Sequence, residues 1–166
     1  MDARRIELLQ QMAIFGGVRS DVLEFLLGCC QIVRVDEDDY FFREHQNGES
    51  MFVLESGTVA VAKQHNGRDY VLGTLKAGDC FGEMAVIDHC SRSASVYALE
   101  ASAAIEITAA NLYRLYAHDL KQFALIQMNM GREVCRRLRQ ANEMLFNQRT
   151  EFLPESGEGT ADRAWV

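Results

Sequence analysis

Only one proline, Pro154, occurs in 166 residues. It stands near the C-terminus, so no imino acid interrupts a helix or strand interior in the body of the chain. Cysteine is present but not paired by spacing. Cys29, Cys30, Cys80, Cys90 and Cys135 are odd in number and contain no C-x-x-C pair, which suits neither a disulfide framework nor a zinc site. They read as reduced thiols of a cytoplasmic protein. No run of about 18 apolar residues is available to span a bilayer. The N-terminal stretch MDARRIELLQQMAIF is interrupted by Glu7, Gln10 and Gln11 and so lacks a signal-peptide core. No membrane association is therefore expected. Positive charge is also short: 17 Lys and Arg face 24 Asp and Glu, a net charge of −7. That balance argues against a general affinity for nucleic-acid phosphates. An anionic ligand must be drawn by a local arrangement of donors, which directs attention to individual arginines.

What remains, 48% hydrophobic and 25% charged, is the composition of one globular domain. Ile6, Leu9, Met12 and Ala13 recur at helical spacing, and Ser20 offers an N-cap for DVLEFLLG, so two short helices open the chain. From Gln31 the texture changes to short β-branched and aromatic segments: QIVRV, DYFFR, SMFVLES, TVAVAK, DYVLGTL, SASVYAL and AAIEI. Polar or glycine turns separate them about every ten residues, the pattern of an antiparallel sandwich or barrel. Asn66 and Gly67 mark a two-residue type I′ hairpin. After Ala109 helical spacing returns, predicting a short helix and then a long one through Phe146. The predicted class is α+β: an antiparallel, jelly-roll-like β-roll of about eight strands with N-terminal helices and a long C-terminal helix. The segments are an N-terminal helical part over 1–30, the roll over 31–109, C-terminal helices over 110–148 and a tail over 149–166. Pro154, Gly157, Gly159 and the acidic Glu151, Glu155, Glu158 and Asp162 predict disorder in that tail.

The stretch GDCFGEMAVIDHCSRSASVYALE, from Gly78 to Glu100, departs from the strand rhythm. FGEMAVI predicts one helical turn after a strand, with Gly82 allowing close backbone approach and leading amides suited to an anion. Arg92 follows, and the small Ser93, Ala94 and Ser95 would let a ligand lie near the backbone. A guanidinium with free amides suits a phosphate. Glu83 is no phosphate contact, but beside one its carboxylate can accept from a ribose hydroxyl. Read singly, these residues have plainer meanings: a turn glutamate and a solvated arginine.

FGEMA followed by R-S-A, inside a roll preceded by an LESG turn and a GD turn, resembles the phosphate-binding cassette of the cyclic nucleotide-binding domain family, here over 78–95. The likeness runs from about Leu9 through Phe146. It implies that Glu83 holds the ribose 2′-hydroxyl and Arg92 pairs with the cyclic phosphate. Gly82, Met84, Ala85, Ser93 and Ala94 complete the cradle. It further implies a ligand-responsive regulatory module that is not an enzyme. The Arg-Ser-Ala triplet is similar to that of bacterial cAMP receptor regulators, so cAMP is expected over cGMP. Ser91 stands where the family often has proline, and Asp38, Asp39, Glu44 and His45 where it often has glycines. The long helix resembles the family's C-terminal helix, placing Asn142 against the base.

Gln127, Val134 and Ala141 fall seven apart, with Leu138 and Leu145 interleaved. This stripe fits either docking on the roll or a homodimer through the helix. The partners expected are a cyclic mononucleotide, a second copy and an unidentified downstream protein. Specific DNA binding is not expected, since only about twenty residues follow Phe146, four of them acidic. The alternatives from other classes are a metal-dependent cupin-like enzyme and an interaction domain with an empty pocket. The first is poorly supplied, because His45, His65, His89 and His118 form no H-x-H or helical i, i+4 pair with a nearby glutamate. No metal is expected. Cys90, two residues before Arg92, reads as a loop filler or a redox-sensitive thiol.

Overall fold

The computed structural model describes residues 3–151. It divides into two compact units, Met1–Glu133 and Val134–Val166. The expected tail lies outside the described residues from 152 onward.

In the first unit α1 (Ala3–Gln11), a 3-10 turn (Ala13–Phe15) and α2 (Ser20–Leu27) precede eight strands. These are β1 (Gln31–Val35), β2 (Tyr40–Phe42), β3 (Ser50–Ser56), β4 (Thr58–His65), β5 (Arg68–Lys76), β6 (Cys80–Phe81), β7 (Ser95–Ala98) and β8 (Ser102–Thr108). A short α3 (Glu83–Asp88) lies between β6 and β7, α4 (Ala109–His118) follows β8, and α5 (Leu120–Glu151) begins here. The strands pair antiparallel in two sheets, ordered β1-β8-β3-β6 and β2-β7-β4-β5. That is the jelly-roll arrangement the segment spacing predicts.

Strand β3 shows why the sheets stack as they do. Its MFVL run is buried on both faces, so it lacks the polar alternation of a half-exposed strand. Met51 and Val53 face a core shared with Leu9, Phe15, Leu26, Leu115 and Met130 of the helical elements. Phe52 and Leu54, one residue out of phase, enter a second core inside the roll with Phe42, Val59, Phe81 and Val96. In that interior Phe52 and Phe81 stack at 5.2 Å, and Phe41 meets both edge-on.

One expectation needs correction. Ser20 is the first helical residue rather than the N-cap. Arg19 occupies the cap without a side-chain bond, and the Ser20 hydroxyl instead accepts from Gln10 Nε2 at 2.9 Å. The strand expected before the helical turn of FGEMAVI is β6, whose two residues pair with Phe52 and Val53 of β3. A two-residue strand has no periodicity to read.

Candidate functional site

Arg92 sits at the seam between the sheets. Its backbone is pinned to the loop after β2: Arg92 N donates to Gln46 O at 2.8 Å, and His45 N donates to Arg92 O at 2.9 Å. Its side chain runs inward and is only 5% exposed. Nη1 donates to Ser50 O at 2.6 Å and to Gly82 O at 3.0 Å, while Nη2 donates to Ser50 Oγ at 3.2 Å. The Phe42 ring lies under the guanidinium, 4.0 Å from Cζ to the ring centroid. Nε is buried with no hydrogen-bond partner among the described residues. Burial lowers the Arg92 pKa from its ordinary value, against the opposing fields of Glu106 and then Glu83. An arginine still stays charged at neutral pH. A buried cation whose hydrogen bonds run to neutral oxygens, with one N–H unanswered, is an anion-seeking arrangement, since leaving a buried donor unmet costs about 1 to 3 kcal/mol.

Two glycines make this packing possible. A Cβ at Gly82 would lie 2.6 Å from Arg92 Nη1, and one at Gly48 would lie 2.5 Å from Nε. Gly82 also has φ 78°, a left-handed conformation that L side chains adopt at a cost. It turns the chain from β6 into α3 and brings Glu83, only 3% exposed, into the same buried region as Arg92. Ala85 is buried, Met84 is exposed, and Ser93 Oγ stands 3.8 Å from Met84 Sδ. The two halves of the expected cassette, 82–85 and 92–94, are therefore adjacent. Asn142 belongs to the unit Val134–Val166, where it is exposed on α5.

Sequence reasoning missed Ser50, Gly48 and Phe42. Ser50 is 42 residues from Arg92 along the chain, and no local spacing announces such a contact. Asp38 and His45, which stand where the family often has glycines, both hold positive φ, 67° and 69°, as a glycine would. Cys90 is exposed, with its thiol 3.6 Å from Asp88 O. Among the described residues no group of three His, Cys, Asp or Glu is placed to hold a metal. No described helix is long and apolar enough to cross a membrane. A groove of about 450 Å³ is lined by Val86, Ile87, Leu112, Tyr113, Tyr116 and Phe123, among others, and by none of the expected site residues.

Residues 32–119, just over half of the chain, match the model of the cyclic nucleotide-binding domain. The cGMP-dependent protein kinase 2 of Homo sapiens is 31% identical over 101 residues, which is 60% of this chain and 13% of the kinase. The cyclic AMP receptor protein of Thermus thermophilus is 26% identical over 134 residues, 78% of this chain and 58% of that protein. This chain thus spans less than two thirds of either relative. The crystal structure of a cyclic nucleotide-binding domain from Methylobacillus flagellatus superposes with a TM-score of 0.78 at 22% identity, covering 88% of this chain and 83% of that one, a likeness of fold.

Proposed function

Because the chain belongs to the cyclic nucleotide-binding domain family, we propose that it is a regulatory module that senses a cyclic mononucleotide through Arg92 and Glu83. The observation that carries this reading is the buried Arg92 guanidinium, hydrogen-bonded to neutral oxygens and left with an unpartnered Nε–H. A cyclic phosphate supplies the missing charge and acceptor. In this reading Glu83 accepts from the ribose 2′-hydroxyl, and the backbone of Gly82, Met84, Ala85, Ser93 and Ala94 lies along the phosphate and sugar. With Glu83 and Arg92 only 3% and 5% exposed, ligand entry has to open the cassette.

We assign cAMP as the preferred nucleotide on the Arg92-Ser93-Ala94 triplet. The names of the relatives divide between cGMP and cyclic AMP, so both nucleotides belong in the test. Output passes through α5, by a homodimer along its apolar stripe and by a downstream protein.

Calorimetric titration of the wild-type chain with cAMP and cGMP tests the reading directly. Arg92→Ala is expected to weaken binding at least tenfold, the consequence of losing charge-assisted contacts that contribute about 1.5 to 3 kcal/mol. Arg92→Lys, which keeps the charge but not the fork, should fall between. The folding midpoint is measured alongside, because Arg92 also holds Ser50 and Gly82. A folded Arg92→Ala protein with wild-type affinity refutes the assignment.

A further inference from the structure

Resting on the cyclic nucleotide reading, we propose that Ser50 is a positioning residue. It sets which edge of Arg92 meets the phosphate, and thereby makes the protein distinguish the two exocyclic oxygens of a cyclic phosphate. A guanidinium offers its five N–H groups along fixed directions in one plane. Ser50 spans both terminal nitrogens, taking Nη1 on its carbonyl at 2.6 Å and Nη2 on its hydroxyl at 3.2 Å. A single residue bridging those two nitrogens faces the end of the group. Gly82 O takes the other Nη1 proton at 3.0 Å. What remains is the side edge, formed by the Nε–H, which has no partner among the described residues, and the second Nη2 proton. Two parallel N–H groups on one edge make the fork that arginine presents to phosphate.

Rotation is blocked on the faces. The Phe42 ring covers one, with its centroid 4.0 Å from Cζ. A Cβ built on Gly48 falls 2.5 Å from Nε, 2.7 Å from Cζ and 2.9 Å from Cδ. Those three near-equal distances place Gly48 above the plane rather than along the N–H direction, so it closes a face and leaves the edge clear. Among the described residues the hydroxyl of Ser50 is then the side-chain hydrogen bond that keeps the end of the group turned inward. Its own position is held by the strand, because Ser50 is buried and in register with Thr108 of β8.

The two exocyclic oxygens of a 3′,5′-cyclic phosphate are diastereotopic. A fork of fixed direction meets them unequally, and replacing one with sulfur gives either the Rp or the Sp phosphorothioate. The experiment measures the affinity ratio of the Rp and Sp phosphorothioates of cAMP, and of cGMP, by calorimetry. Wild type is expected to prefer one diastereomer roughly tenfold. Ser50→Ala should bring that ratio down about threefold or more, as the loss of one hydrogen bond to a charged group allows. Ser50→Thr keeps the hydroxyl and should keep the ratio. Ser102→Ala, a change at a buried serine whose hydroxyl bonds Glu100 O, should also keep it. A change in stability alone leaves a ratio of affinities untouched, so this readout separates positioning from packing. If Ser50→Ala does not fold, Gly48→Ala carries the same expectation by displacing the guanidinium with the hydroxyl intact. A folded Ser50→Ala or Gly48→Ala protein with the wild-type ratio overturns the proposal. So does a wild-type protein that binds both nucleotides without preferring a diastereomer, which leaves the function reading standing. Failure of the wild type to bind either nucleotide overturns that reading and this one with it.

Discussion

A carboxylate beside a buried guanidinium has two duties, and Glu83 illustrates both. Its field supports the charge of Arg92, which burial works against, and in the proposed complex it accepts from the ribose. Glu83→Gln keeps the shape and removes the charge. The variant should bind cyclic nucleotide roughly three- to tenfold more weakly, less than the loss expected for Arg92→Ala, since a neutral acceptor replaces an ionised one. The second duty is isolated by a 2′-deoxy cyclic nucleotide, whose penalty in wild type should shrink in Glu83→Gln because the amide oxygen accepts from the 2′-hydroxyl more weakly than the carboxylate does. Additive losses in that cycle, read by calorimetry, assign Glu83 to Arg92 alone. Read singly, Glu83 and Arg92 have plainer meanings, and they were legible as candidates only through the resemblance of their stretch to the family's cassette. Ser50, Gly48 and Phe42 were not. Their roles exist only once β2 and β3 fold against the cassette, and a serine before an apolar strand looks like any strand start.

Elements were legible in proportion to their length and composition. Seven of the strands follow β-branched and aromatic runs, and Asn66 and Gly67 take the positive φ values, 51° and 74°, that the hairpin signal requires. The eighth, β6, is two residues long and is specified by its partner β3. The start of α4 after Ala109 was legible, but its cap was hidden. Thr108 caps it, accepting from Asn111 N at 3.1 Å, while Asn111 Oδ1 accepts from Thr108 N at 2.8 Å. This is a capping box with asparagine in place of the usual glutamate or glutamine, so the customary pattern misses it. Asn111 Nδ2 also donates to Cys29 O at 2.8 Å, tying α4 to the end of α2. Asn111→Ala removes these bonds from a buried position and strands the Cys29 carbonyl and the Thr108 amide. It should cost about 2 to 3 kcal/mol, more than the roughly 1 kcal/mol of an ordinary cap deletion. Urea unfolding at constant m-value checks it, and a loss below about 1 kcal/mol would mean water replaces the side chain.

At the scale of the whole molecule, the apolar stripe of α5 offers a surface for a second copy of the chain. In the unit Val134–Val166, Leu138 and Leu145 are 59% and 57% exposed, and Ala141 between them is exposed as well. Those positions keep heptad spacing, so a second copy of the helix can cover them at little cost in geometry. The proposed homodimer is tested by light scattering: wild type should be dimeric, and Leu138→Glu, which places a charge in the seam, should be monomeric with the roll still folded. A monomeric wild type removes the proposal. Asn142→Ala should leave assembly unchanged and alter the ratio of cAMP to cGMP affinity, and an unaltered ratio withdraws the base contact assigned to it. The same variants test transmission. Linkage requires that any factor by which nucleotide strengthens dimerisation equals the factor by which dimerisation strengthens nucleotide binding. A Leu138→Glu monomer that binds nucleotide with the affinity of the dimer therefore shows that assembly carries no signal, however tightly the ligand is held. A difference of tenfold, about 1.4 kcal/mol, is enough for occupancy of the cassette to be read at α5.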